Sequence, residues 1–321
     1  MATWIQRVSG LLGGSAIAIP AAAAAPAHPG TRSNGARPPT AAAQIEAPID
    51  AQVLLFEWLL GCGAAIEMPL TSAEHRLLAQ LDEVLASDSA RNGLLPRAPA
   101  VIPQLLACLR DPGQSSDALA SRVAKDAQLV AEVIRLANGV LARAAEPVTD
   151  LSQAITRLGT EGLRRAIAKV VLKPIFDAPA DSFSGRAAPR LWRHSEIKAA
   201  HCMRLAATAG IDPFEGYLAG LMHNIGWSAA LRALDACPGG RPARFSAAFV
   251  RAFAPRREAF FALLVMPWQL TDALTALATQ LLAADAAPSP SPLALALLAA
   301  DRSATLELVG PVSAASRHPA A

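Results

Sequence analysis

His223 and Asn224 stand side by side within residues 216–226, GYLAGLMHNIG. Leu218, Leu221, Met222 and Ile225 recur there at the three-to-four-residue spacing of a buried helical stripe. The segment therefore reads as one helix with an imidazole and an amide inside its apolar run. Two chemistries suit that arrangement. A core histidine can be satisfied by hydrogen bonds, or adjacent side chains can reach one metal ion if another helix supplies a third ligand. Spacing alone favours the core histidine. His194 and His201 lie seven residues apart and so share a helix face, with His201 reading as a surface or hydrogen-bonded histidine. Ser195 adjoins His194, but neighbours on a helix point about 100° apart, which argues against a nucleophile–base pair. The chain contains no GxGxxG, GxxxxGK[ST] or GxSxG run, so those chemistries have no basis here.

The elements that must position these residues read as helices. The chain of 321 residues is 53% hydrophobic but only 5% aromatic, a balance that suits helix packing better than a β-sandwich. A net charge of +3 with no clustered basic face gives no sign of nucleic-acid binding. Cys62, Cys108, Cys202 and Cys237 form no CxxC pair and read as buried residues of a reducing compartment. Beyond the N-terminal tail, no segment reaches the length of a membrane helix without charge or proline.

Taken in order, residues 1–48 are an Ala/Pro-rich tail expected to be disordered, although Arg7 and the apolar run after it imitate a secretory signal. Residues 49–92 read as an N-terminal helical segment. It holds the apolar block VLLFEWLL (53–60) and a helix over 71–87 opened by a Thr71/Glu74 capping box, with a polar break at 88–93. Pro96 and Pro99 suit the entrance of a helix over 95–109, followed by a turn at 111–113 and a short helix at 116–123. Further helices are expected over 126–141, 151–158, 161–172, 191–208, 247–253, 256–265, 270–283 and 292–300. The loops between them include 177–189 and 237–245, and Pro255 parts two of the helices.

The segment GLMHNIG (220–226) resembles GLLHDIG of the HD superfamily of metal-dependent phosphohydrolases, and is more similar to its HDOD branch, the HD-related output domains. The resemblance runs from residue 95 to about 301 through several blocks in the family's order. KDAQLVAEVIRLANG (125–139) is similar to DP-x-L…VLRLANS, which places Asn138 on a family asparagine that reads as a helix-end cap. LSQAITRLG (151–159) matches AI-x-x-LG, with Gly159 ending the helix. LWRHS (191–195) matches W-x-H-S, so Trp192 reads as core and His194 falls on the first histidine of the HD pattern. WQLTDAL, from Trp268, resembles W-x-L-P-x-x-I, and Asp301 falls where HD domains place their closing aspartate.

The resemblance implies an all-α, two-lobed helical domain over 93–310, closed by a disordered tail at 311–321. It also implies a site of His, His–Asp and Asp, whose matching positions are His194, His223, Asn224 and Asp301. Asn224 departs from the pattern, and a neutral amide is a poor replacement for a carboxylate that binds a hard cation. Arg256, Arg257, Thr279 and Gln280 stand where binuclear relatives carry extra histidines, and Trp227 stands where they carry a lysine. The expectation is a non-catalytic, cytoplasmic signal-transduction module that needs no cofactor and binds a protein partner. Trp192, His194, His223 and Asn224 are expected to form a buried polar cluster tying two helices together, with Gly226 structural. Two alternatives stand beside it. One is a metal-dependent phosphohydrolase or phosphodiesterase using His194, His223 and Asp301, with Asn224 a weak ligand. The other is a nucleotide sensor in which Arg164, Arg165, Arg256 and Arg257 contact phosphate.

Overall fold

The computed structural model of the chain describes residues 50–62, 65–95, 98, 120–121, 123–140, 147–238, 242, 244–283 and 289–315. The tail at 1–48, Cys108, the 111–113 turn, and most of the helices expected at 95–109 and 116–123 lie outside them. Among the described residues the fold is all-α, with a single isolated parallel bridge between Ile66 and Ser246. None of its helices is long and apolar enough to cross a membrane.

Helix α1 (Ala51–Leu60) begins at Asp50, whose carboxylate accepts from the amides of Gln52 and Val53. Helix α2 (Ser72–Ala86) opens with the expected capping box of Thr71 and Glu74. Glu74 also reaches the start of a distant helix, where its Oε1 accepts from Ser246 N at 2.6 Å. The stretch 88–93, expected as a polar break, forms the short helix α3 (Asp88–Gly93), because Ser87 caps it by accepting from Ala90 N.

Helices α1 and α2 are part of the main core. The Phe56 ring is fully buried, with centroids 5.2 to 6.1 Å from those of Phe245, Phe253, Trp227 and Phe249. Helix α4 (Ala127–Val140) and the first part of α5 (Leu151–Phe176) enclose a second, smaller core of Val123, Leu129, Val133, Ala137, Val148, Ala154, Leu163, Ala166 and Ile167. Two cores make the two lobes. Lys169 spans the junction, bonding Glu132 at 2.9 Å and also Glu196.

Gly159 breaks α5 as expected, at φ 62° and ψ −174°, a conformation that favours glycine. Asn138 is not a cap. It lies within α4, and its side-chain amide donates to Val148 O at 3.0 Å while Oδ1 accepts from Val148 N at 2.8 Å. A group carrying both a donor and an acceptor can pair with a strand-like backbone in this way.

Helix α6 (Phe183–Thr208) begins eight residues before the expected 191 and takes in Pro189. Its start is fixed from afar. Asp235 accepts from the Phe183 and Ser184 amides at 2.7 and 3.0 Å, and Ser182 accepts from Gly185 N. Helix α7 (Pro213–Met222), capped by Asp212, and α8 (Ile225–Asp235) replace the single helix expected over 216–226. Their apolar runs abut, so periodicity carries straight across the junction.

Helix α9 (Ala247–Val265) runs unbroken through Pro255, because Ser246 caps its start and both halves are buried. A 3-10 turn (Met266–Trp268), α10 (Asp272–Leu282) and α11 (Pro292–Ala315) complete the described chain. Helix α11 continues well past residue 300, which places Asp301 inside it, and past 310 into the expected tail.

Candidate functional site

The site forms where the α7–α8 junction meets α6, α9 and α11. His223 is the C-cap of α7 and Asn224 the N-cap of α8, both in helical conformation. Gly226 lets α8 approach α9, since a Cβ there would overlap the carbonyl oxygen of Arg257. Helix α6 supplies His194, Ser195 and, one turn on, Lys198. Helix α11 supplies Asp301 and Thr305. His194, Ser195, Lys198, Asn224 and Thr305 are fully buried, and only the Asp301 side chain, 14% exposed, nears solvent.

Lys198 sits at the centre. Its ammonium donates to His223 Nδ1 at 3.0 Å, Asn224 Oδ1 at 2.5 Å and Asp301 Oδ1 at 2.8 Å. An ammonium has three donors and no acceptor, so all three are satisfied. His223 must then be neutral with its proton on Nε2, which donates to Glu258 Oε2 at 2.6 Å. Glu258 Oε1 in turn accepts from Arg257 at 2.7 and 3.1 Å, and that guanidinium lies 5.1 Å over the Trp227 ring.

The Asn224 amide nitrogen reaches Ser195 Oγ at 2.8 Å, His194 Nδ1 at 3.0 Å and Leu191 O at 3.3 Å. His194 accepts at Nδ1, so its proton is on Nε2, 3.1 Å from Thr305 Oγ1. Thr305 Oγ1 is free to accept there because it donates its own proton to Asp301 O at 2.8 Å.

The electrostatics agree with this protonation pattern. Burial, helped by the Lys198 charge, pushes His194 down to about 3. Burial also lowers His223 against the pull of Glu258. Burial alone would raise Asp301, but the Lys198 ammonium beside it holds the carboxyl well below the usual carboxylate range. Glu258, likewise opposed by burial, is held below the usual carboxylate range by the His223 hydrogen bond and the Arg257 guanidinium. Burial lowers Lys198, with Asp301 resisting. Two cations and two carboxylates thus balance inside one dry cluster.

A divalent cation does not fit these residues. His223, Asn224 and Asp301 all turn their acceptors on the Lys198 ammonium, and His194 Nδ1 is occupied by the Asn224 amide. Among the described residues no group of three or more His, Cys, Asp or Glu side chains is disposed to hold a metal ion. Two surface depressions, one along α10 (Asp272, Thr275, Gln280) and one between α1 and α6 (Leu60, Cys62, Phe183), share no residue with the cluster.

The structure therefore brings His194, His223, Asn224 and Asp301 together, as expected from their order in the chain. Trp192 is not among the residues that bond them; its ring packs edge-on against Phe176 at 5.2 Å. His201 bonds Glu307 at 2.8 Å, away from the cluster. The four arginines offered for phosphate do not converge. Arg164 pairs with Glu161 and lies over Phe214, Arg165 bonds Glu161 O and Met203, Arg256 forks onto Asp82, and Arg257 is buried on Glu258. Lys198, Glu258 and Thr305 complete the cluster with no family motif to mark them. Lys198 carried a signal, since position 198 is one helical turn from His194 and so on its face.

A model of the family described as HDOD domain matches residues 95–280. An HDOD domain protein of unknown function from Geobacter sulfurreducens is 20% identical, with 81% of this chain and 79% of that chain covered at a TM-score of 0.49. A protein from Shewanella amazonensis SB2B, named "Putative metal-dependent phosphohydrolase", is 22% identical over 74% of this chain and 84% of its own, at a TM-score of 0.54. At 22% identity the likeness to the Shewanella protein is one of fold alone. An uncharacterized protein from Treponema pallidum (strain Nichols) is 22% identical over 149 residues, 46% of this chain, which spans 28% of that protein's length. With the matched segment covering more than half of its residues, the chain belongs to the HDOD domain family.

Proposed function

We propose that this chain is a non-catalytic regulatory module that acts in the cytoplasm by binding a protein partner in signal transduction. His194, His223, Asn224 and Asp301 are on this reading the positions of an HD site that has lost its chemistry. One observation carries it: the acceptors that would have to face a catalytic ion are engaged inside a buried cluster, those of His223, Asn224 and Asp301 by the Lys198 ammonium and that of His194 by the Asn224 amide. The thiols of Cys62 and Cys202 suit a reducing compartment.

The test is metal analysis of protein purified without chelator, together with assays on phosphomonoesters and cyclic nucleotides with added Mn2+ or Mg2+. Metal-free protein with no turnover is the expected result. Stoichiometric metal with turnover would establish the phosphohydrolase reading instead. Thermal stabilisation by a nucleotide without turnover would favour a sensor.

A further inference from the structure

We infer that Lys198 is a built-in replacement for a divalent cation, and that Asn224 is its charge counterpart, so that the two residues form one exchangeable unit.

The inference rests on the site reading above and deepens it. Lys198 Nζ is held at 2.5 to 3.0 Å by a carboxylate, an imidazole nitrogen and an amide oxygen, an acceptor set of the kind that divalent ions take. The ammonium brings one positive charge and Asp301 one negative charge, and Arg257 and Glu258 cancel separately. A carboxylate at position 224 would leave the buried cluster with an unmatched negative charge. It would also lose the amide donors that Asn224 directs to His194 Nδ1 and Ser195 Oγ. Conversely, a divalent ion in place of the ammonium would be balanced by two carboxylates, one at 301 and one at 224. Either single change breaks neutrality, and the joint change keeps it. Asn224 alone therefore does not account for the departure from a metal site; the lysine one turn beyond His194 is the other half.

The experiment compares wild type, Asn224→Asp, Lys198→Ala and the double variant, with folding followed by circular dichroism and Mn2+ binding by calorimetry and by metal content after desalting. The double variant should bind one Mn2+ per chain at least 100-fold more tightly than the other three proteins. Tight one-to-one binding by wild type would overturn both this pairing and the non-catalytic reading. Equal binding by Asn224→Asp and the double variant would overturn the pairing, as would a folded double variant that binds none. Should the double variant not fold, wild-type protein carrying 15N-lysine decides. A slowly exchanging Lys198 ammonium signal at pH 7 that one equivalent of Mn2+ leaves sharp is expected. Absence of that signal, or its saturable broadening, would overturn the inference.

Discussion

Lys198 Nζ lies 2.8 Å from Asp301 Oδ1, joining α6 to α11 through residues 103 apart in sequence. The pair closes the cluster on its most solvent-near side and, with the Thr305–His194 bond, ties the C-terminal helix to the His223–Asn224 junction. Its energetic weight follows from burial. A buried ion pair adds little net stability when formed, but removing one partner strands the other in a dry environment.

Lys198→Met should therefore be among the more damaging substitutions in the chain. It leaves Asp301 without its counter-charge and removes a donor from both His223 and Asn224. The expected loss is about 3–5 kcal/mol, the cost of breaking a buried pair from one side. Lys198→Met/Asp301→Asn should recover a substantial part of that loss. Urea unfolding of the two single variants and the double closes the cycle. If the two losses simply add to within about 0.5 kcal/mol, the two groups are not coupled.

Acid should weaken the fold through the same cluster. His194 and His223 are both held neutral, with folded-state values below the ordinary 6.5 and, for His194, about 3. The unfolded chain binds these protons first, so stability is lost as pH falls below about 6.5, by on the order of 1 kcal/mol per pH unit for each histidine. Glu258 and Asp301, also lowered, add losses of the same sign below the ordinary carboxylate range. The groups facing the two rings are Lys198, Glu258, Asp301, Asn224 and Thr305. Urea midpoints from pH 7.5 to 4.5 measure the slope. A flat profile in wild type would mean that neither imidazole is held neutral.

How much of this was legible depended on the range of the interaction. The capping box at Thr71 and Glu74 and the break at Gly159 are local, and both were readable from a few adjacent residues. Pro189 and Pro255 looked like helix breakers because what fixes those helices is remote. Asp235 caps α6 from α8, and buried faces keep α9 continuous through its proline. The His223–Asn224 break was invisible because apolar periodicity runs through both α7 and α8. His194 and Asp301 could be placed from motif order, whereas no motif marks Lys198. Only the convergence of three acceptors from α7, α8 and α11 gives it a role.

Helix α1 should be indispensable to the domain. Phe56 is fully buried, and its ring meets four aromatic rings from α8, α9 and the loop before α9. Phe56→Ala should cost about 3–5 kcal/mol, the range for emptying an aromatic site in a core. Removal of residues 1–70 should likewise abolish cooperative unfolding of the remainder. A truncated chain that melts as sharply as the full one would show that α1 is an accessory.

The smaller lobe should be separable in its stability from the site. Asn138 pins Val148 by two bonds, and Val148 is only 2% exposed, so Asn138→Ala leaves a buried donor and a buried acceptor unpaired. The expected loss is about 1–3 kcal/mol for each group left unsatisfied. Asn138→Asp keeps the acceptor for Val148 N but not the donor to Val148 O, so it should fall between wild type and alanine. Because this lobe has its own core, hydrogen exchange should quicken in α4 and the first half of α5. Protection across α6 and the α7–α8 junction should hold. Equal loss of protection in all of these helices would mean that the two cores open as one unit, and that the Lys169 bridge couples them rigidly.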